Sequence, residues 1–363
     1  MDSLLLKVFN GYKKRHPNDG PSSSTEPDND QQANIPVIVF ERNLHVSSRV
    51  GIRDWALGCH WSAPILAKLI GKEKWSHIQE VGVDPNMTVA DIGNLPPMKL
   101  LHGVTGEPLA EMGTDGEPLF RFLRSRLVAL LADGVDVRYG KTLDRFTYDK
   151  ADGSHEGIVT AYFIDGTEVR GRLLIGADGV KSRVRSLLFE HDPKQAALSR
   201  LPYAATFVNA SFTADQARYI RAAQCHPFMC AIPHPKGLMN FLSVLDATQA
   251  EYPETWIFSF YVGYLCSIEE QNRKATPRER LQEAKRMVKE NVIGDPLKSV
   301  YEWVGDDAES VYYTKVANWD PSLPEHKWEN HEGHVTLAGD ACHPMTFRKF
   351  WFSHPTAFMK AYR

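Results

Sequence analysis

Three short clusters in this chain put a carboxylate beside or near glycines at the end of an apolar run. Such clusters suit a ligand rich in hydroxyls or phosphates. In Gly176-Ala177-Asp178-Gly179, the run Leu173-Leu174-Ile175 leads into a glycine-flanked acid, and Ser182-Arg183-Val184-Arg185 follows with the character of a helix start. In an open α/β sheet a ligand sits at the carboxyl ends of the strands, and glycine lets the backbone come close to a phosphate. Gly339-Asp340-Ala341-Cys342-His343-Pro344 has the same grammar after Val335-Thr336-Leu337, and an aspartate there can accept hydrogen bonds from a polyol. Glu41 closes the run Val37-Ile38-Val39-Phe40. An acid at the end of the second strand of a dinucleotide-binding unit accepts hydrogen bonds from ribose hydroxyls. Each cluster also has an ordinary reading: an Asp-Gly turn, or a solvated charge at a strand end.

Other chemistry is weakly signalled. His326, His331, His334, Cys342 and His343 lie close together, as do Cys225, His226 and Cys230, but the spacings match no common zinc pattern. The five cysteines, at 59, 225, 230, 266 and 342, are odd in number and irregular in spacing, so a disulfide framework is not expected. No side chain stands out as a nucleophile, and no catalytic residue is named.

The elements that must position these clusters follow from periodicity. The residues of IPVIVFER, 35–42, read as a buried strand. Residues 63–79 read as a helix with Ile65, Leu66, Leu69 and Ile70 on one side, residues 80–116 as loops, and residues 117–132 as the best helix of the chain. VDVRYG is a strand, and the segments from 141 to 171 form a meander turning at Asp165-Gly166. From about 200 to 265 the chain is β-rich. Residues 276–291 form a helix with Thr276 as its cap and Pro277 in first position. The pattern is an α/β layer interrupted by a mainly antiparallel β-sheet domain. Within that domain, Trp256, Phe258, Phe260 and Tyr261 either line a pocket or form ordinary core; Arg53-Asp54 with Trp55, His60 and Trp61 marks a second possible pocket.

Composition sets the frame. Lys and Arg number 42 against 45 Asp and Glu, and no long basic block occurs, so nucleic acid is not the expected partner. No apolar run approaches the ~18 residues of a membrane span. The first residues make a poor secretory signal, and a reducing, cytoplasmic location is the default expectation. Residues 17–34 (PNDGPSSSTEPDNDQQAN) have almost nothing to bury and read as a disordered linker, preceded by a helical turn or two.

Taken together in their order, IPVIVFER, Arg124 in RSRLVALL, LLIGADGVKSRVR and VTLAGDACHPMT resemble the FAD-dependent monooxygenases of the aromatic-hydroxylase-like type, most closely the fungal enzymes of secondary metabolism, over roughly residues 35–347. The resemblance implies a partial Rossmann-like FAD-binding layer in residues 35–195 and 330–363, and a β-rich substrate domain in residues 196–329, after a disordered or atypical segment 1–34. It gives Glu41 the adenosine ribose, Arg124 the cofactor's phosphates or ribose, and Asp178 a place near the ribose and the nicotinamide route. Gly339 and Asp340 take the ribitol or pyrophosphate side. Arg183 and Arg185 match basic positions of the family, with pairing to surface acids as the alternative. The implied cofactors are FAD and NAD(P)H as electron donor, with oxygen as co-substrate and a hydrophobic small molecule hydroxylated or epoxidised. The flavin supplies the reactivity; the protein supplies orientation and excludes water. The rivals are a catalytically inactive relic or binding module of the same fold, or a related flavin reductase or halogenase.

The sequence also departs from that family. The family pattern starts with strand, GxGxxG and helix some way before the ribose acid, but here only Gly11 and Gly20 precede Glu41 and no GxGxxG occurs anywhere. No glycine follows Gly339, and the chain ends in FRKFWFSHPTAFMKAYR rather than a glycine-rich turn. The expectation is a chain truncated at both ends that holds FAD poorly.

Overall fold

The computed structural model describes residues 3–7, 36–45, 54–112, 118–150, 157–223, 226–306, 308 and 310–344. By its internal contacts the chain divides into two units. The first holds residues 1–45, 134–198 and 319–345; the second holds residues 46–133, 199–318 and 346–363. Residues 46–133 thus group with the β-rich segment rather than with the expected cofactor domain. The expected linker, but for its neighbour Ser3–Lys7, lies outside the described residues, as does the C-terminal tail.

The first unit is built on a five-stranded sheet in the order Val335–Leu337, Leu173–Ala177, Ser3–Lys7, Val37–Glu41, Asp136–Tyr139. Val335–Leu337 is parallel to Leu173–Ala177, and Val37–Glu41 is parallel to Asp136–Tyr139. Ser3–Lys7 is a strand, not the expected helical turn, and runs antiparallel to both its neighbours. The other four strands therefore all point one way, with a reversed strand in the middle. A three-stranded antiparallel meander, Leu143–Lys150, Gly157–Phe163 and Glu168–Gly171, is present as expected. The core gathers Phe40, Val159, Leu174, Val184, Phe189, Trp319 and Val335. Gly176 is required at the centre of its strand: a Cβ there would meet Val184 Cβ at 2.6 Å.

The second unit contains a seven-stranded sheet in the order Ser310–Asn318, Ser199–Ala210, Ile257–Leu265, Met239–Asp246, Met229–Pro233, Met98–Leu101, Pro108–Met112. Only the pairing of Met229–Pro233 with Met98–Leu101 is parallel. Helices Pro277–Glu290 and Leu297–Trp303 cover one face, burying Leu281, Ala284, Val288, Val300 and Tyr301; the Tyr301 ring meets Phe260 edge-on at 5.1 Å. Thr276 closes a full capping box with Glu279. Loss of such a cap costs about 1 kcal/mol, so Thr276→Ala should lower the unfolding free energy by about that amount, which a urea melt of the chain would read.

Two local readings are corrected, and the expected helix over 63–79 is present with its apolar side largely unburied. The helix predicted over 117–132 is a strand, Phe120–Leu123, followed by a helix, Arg124–Ala132. The apolar spacing suits either, and pairing with Ala56–Cys59 decides for the strand. The loops predicted over 80–116 include two paired strands, Met98–Leu101 and Pro108–Met112, and a short capped helix, Val89–Gly93. In the helix Ala63–Ser76 only Ala63 is buried, while Ile65 and Leu69 are exposed; Gly71, with φ at +80°, breaks the stripe. Among the described residues no helix is long and apolar enough to cross a membrane.

Candidate cofactor site

The four parallel strands of the first unit end on one edge of the sheet, and four of the five residues singled out lie there. Glu41 is the last residue of its strand, is buried, and accepts a hydrogen bond from the Asn43 amide at 2.9 Å. Both Glu41 and Ala177 pair in register with Ser3, so the two strand ends are separated by one strand only. Asp178 follows the end of Leu173–Ala177. Its carboxylate accepts from the Ser182 hydroxyl at 2.5 Å and from the amides of Arg183 and Val184 at 2.6 and 3.2 Å. It thereby caps the first turn of the helix Arg183–Leu188, where a negative charge also suits the helix dipole. Gly339 and the exposed Asp340 form a single 3₁₀ turn after Val335–Leu337. Gly339 has φ at +58°, and a Cβ there would touch nothing within 4 Å, so the space beside it is open. Arg124 stands in the second unit. It opens the helix Arg124–Ala132, is buried, and donates its amide to the Trp55 carbonyl at 3.0 Å.

One residue that sequence reasoning undervalued ties this edge together. Arg185 is 2% exposed and is not paired with a surface acid. Its Nη2 donates to the carbonyl of Val180 at 2.6 Å, its Nη1 to that of Ala341 at 2.6 Å, and its Nε to that of Ala196 at 3.1 Å. The guanidinium also lies over the Trp319 ring at 5.2 Å. One side chain therefore fixes the loop after Asp178 and the turn of Asp340 against each other. Burial lowers its pKa from the ordinary arginine value, opposed by the nearby Asp178 charge. The signal in the sequence is its place beside Val184 and one turn before Leu188, on the buried side of a short helix. Arg183 does meet an acid, reaching the Asp144 carbonyl at 2.6 Å and its carboxylate at 3.9 Å.

Two of the histidines flagged as possible ligands make structural contacts. His326 stacks on Trp319 at 4.5 Å, and His334 bonds the Arg172 carbonyl at 2.5 Å. Among the described residues no group of three potential metal ligands converges. In the second possible pocket, Trp55 and Trp61 are exposed.

The edge can be tested against a dinucleotide from its own geometry. A buried acid at one strand end and an open glycine-aspartate turn at another fit ribose and a polyol. A pyrophosphate needs backbone amides at the start of a helix that follows the central strand. Here the central strand presents its first residue, Ser3, to this edge, and among the described residues no glycine turn leads from it into a helix. The described residues therefore fit the sugar and polyol parts of FAD, and not its pyrophosphate.

The aromatic residues of the second unit divide between two faces. Phe258 and Phe260 point to the helix-covered side and are fully buried. Tyr261, which alternates with them, lies on the opposite face within a cross-strand ladder Phe241–Tyr261–Phe207–Tyr312. Successive ring centroids are 5.6, 4.6 and 4.9 Å apart. Phe241, Phe207 and Tyr312 are only half-buried, so this face offers an aromatic floor.

Comparison with known proteins identifies the family. The FAD binding domain family matches residues 127–347, which include Asp178, Gly339 and Asp340. The FAD-dependent monooxygenase phnB of Penicillium herquei is 31% identical over 318 residues, covering 87% of this chain and 71% of that protein. The FAD-dependent monooxygenase cctM of Talaromyces islandicus is 29% identical over 315 residues, covering 87% and 72%. Among solved structures, Klebsiella pneumoniae HpxO complexed with FAD and uric acid shares the fold, with a TM-score of 0.56 at 17% identity, over 90% of this chain and 77% of that one.

Proposed function

This chain belongs to the family of FAD-dependent monooxygenases, and from that premise we propose that it places one atom of dioxygen on a hydrophobic small molecule, with NAD(P)H as electron donor. Hydroxylation or epoxidation in the making of a secondary metabolite is the reaction we favour, in keeping with its fungal relatives. The observation that carries the reading is the shared edge. Two turns, one holding Asp178 and one holding Gly339-Asp340, end parallel strands inside the stretch that matches an FAD binding domain.

FAD, when bound, would supply the electron transfer and the activation of oxygen. The chain's own residues would do the rest. Glu41 would take the adenosine ribose hydroxyls. Gly339 would let the polyol approach the backbone closely, and Asp340 would accept its hydroxyl hydrogen bonds. Asp178 would keep the adjoining helix start in place, with Arg185 holding both turns. The aromatic ladder would hold a planar substrate by its face and exclude water from it. Burial pushes the Tyr312 phenol up to about 12, so at neutral pH it keeps its proton and orients a substrate rather than serving as a base.

The test is isotopic. The chain, supplied with excess FAD and NADPH or NADH under ¹⁸O₂, should move one labelled atom into a planar aromatic substrate. NAD(P)H oxidation should rise when the substrate is added. Label absent from every aromatic compound tried, with flavin demonstrably bound, would contradict the activity.

A further inference from the structure

The aromatic ladder has a charged end that no carboxylate among the described residues neutralises. Arg121, on the strand Phe120–Leu123, is 6% exposed. Its Nε donates to the Val244 carbonyl at 3.2 Å, its Nη2 to the Ser243 hydroxyl at 2.9 Å, and its Nη1 to the sulfur of Met229 at 3.3 Å. A guanidinium has five N–H groups, so these three contacts leave two. Among the described residues no carboxylate pairs with it. A buried charge without a counter-charge is costly, a cost that an anionic ligand would offset.

The position of that charge indicates which anion. The guanidinium lies 5.5 Å from the centre of the Phe241 ring, the first of the ladder. Ser243 and Met229 share the face of Phe241, since Ser243 is two residues along the same strand and pairs with Met229. Ladder and charge therefore belong to one face. The four rings cross four adjacent strands, a span of about 14 Å at ~4.8 Å per strand, which suits a fused planar ring system. Asn209 stands on this face as well, two residues from Phe207, and its buried Oδ1 has no hydrogen-bond partner among the described residues. Its Nδ2 is used on the Asp54 carbonyl at 3.2 Å. The surroundings register the charge: His226, which is buried, has its pKa lowered to about 4 by burial and then by Arg121, so it stays neutral and adds no second cation. Burial itself lowers Arg121 only to about 10, which leaves it charged at neutral pH.

Resting on the monooxygenase reading for its substrate, we infer that this face binds a planar aromatic anion, whose ionised oxygen pairs with Arg121 and whose rings lie on Phe241, Tyr261, Phe207 and Tyr312. Arg121 is then the residue that selects for charge, and the Asn209 carbonyl oxygen receives a hydroxyl of the ligand. A neutral compound of the same shape keeps the ring contacts and leaves the guanidinium buried without its counter-charge.

The test compares 2-naphthoate with its neutral analogue 2-naphthamide, bound to the purified full chain at pH 7 and followed by titration calorimetry. The expected result is naphthoate binding at least tenfold more tightly than naphthamide. Arg121→Met should bring the two within twofold of each other, and Phe241→Ala should weaken both alike. Melting curves of each variant establish that it is folded. Equal affinity of the two probes for the unaltered chain, or no binding of either, overturns the inference whether or not Arg121→Met folds. So does an undiminished preference in folded Arg121→Met. The measurement needs no flavin, so charge selection without ¹⁸O transfer would sink the activity alone, and ¹⁸O transfer without charge selection would sink this inference alone.

Discussion

Replacing Arg185 by methionine is expected to destabilise the first unit by about 3–5 kcal/mol, the usual consequence of taking one partner out of a buried charged network. The side chain meets three backbone carbonyls, those of Val180, Ala196 and Ala341, and no other cation replaces it among the described residues. Hydrogen bonds from a charged donor contribute about 1.5–3 kcal/mol each, and a buried carbonyl left without a donor costs about 1–3 kcal/mol. Methionine fills much of the volume beside Trp319, so the loss would arise from these carbonyls rather than from a cavity. Lysine retains the charge but not the planar fork that reaches three acceptors at once, and should recover less than half of the loss. A urea melt followed by the fluorescence of Trp319, which is buried and stacked on His326, would read both variants. An Arg185→Met chain within ~0.5 kcal/mol of the original, a typical surface effect, would show that the guanidinium does not hold the two turns.

Some of this molecule is legible from residues alone, for reasons that are local. Apolar runs ending in glycine and aspartate mark strand ends, and Glu41, Asp178, Gly339 and Asp340 all fall at such ends. The capping box at Thr276 is likewise complete within four residues. What stays hidden depends on partners distant in sequence. Nothing in Ser3-Leu4-Leu5-Leu6-Lys7 states its direction; only pairing with Leu173–Ala177 and Val37–Glu41 shows it to run backwards. Phe120–Leu123 continues the spacing of the helix that follows, and becomes a strand because Ala56–Cys59 lies alongside. The ladder could not be read from Trp256, Phe258, Phe260 and Tyr261, because its four rings come from four strands and only register unites them. Arg121 and Arg185 share this property: each looks like an ordinary charged residue until burial and long-range acceptors are seen.

As a flavin-dependent monooxygenase, this chain would receive the sugar and polyol of FAD at its sheet edge, which among the described residues offers no cradle for the pyrophosphate. Two or three amide hydrogen bonds to a charged phosphate, at about 1.5–3 kcal/mol each, amount to roughly 3–9 kcal/mol. Even the lower part of that range removes about 10²–10⁴-fold in affinity. The purified 363-residue chain should therefore be colourless, and should take up FAD only when the cofactor is supplied in excess. The edge residues should still matter, with Asp340→Ala weakening what binding there is by tenfold or less. The most direct measurement is a titration of the chain with FAD, followed by quenching of flavin fluorescence and by equilibrium dialysis. The account predicts saturable, one-to-one binding with Kd of tens of micromolar or weaker, consistent with the loss of those bonds. A chain that purifies yellow with stoichiometric FAD would contradict the missing cradle, and one that shows no saturable binding at millimolar FAD would contradict the flavin site altogether.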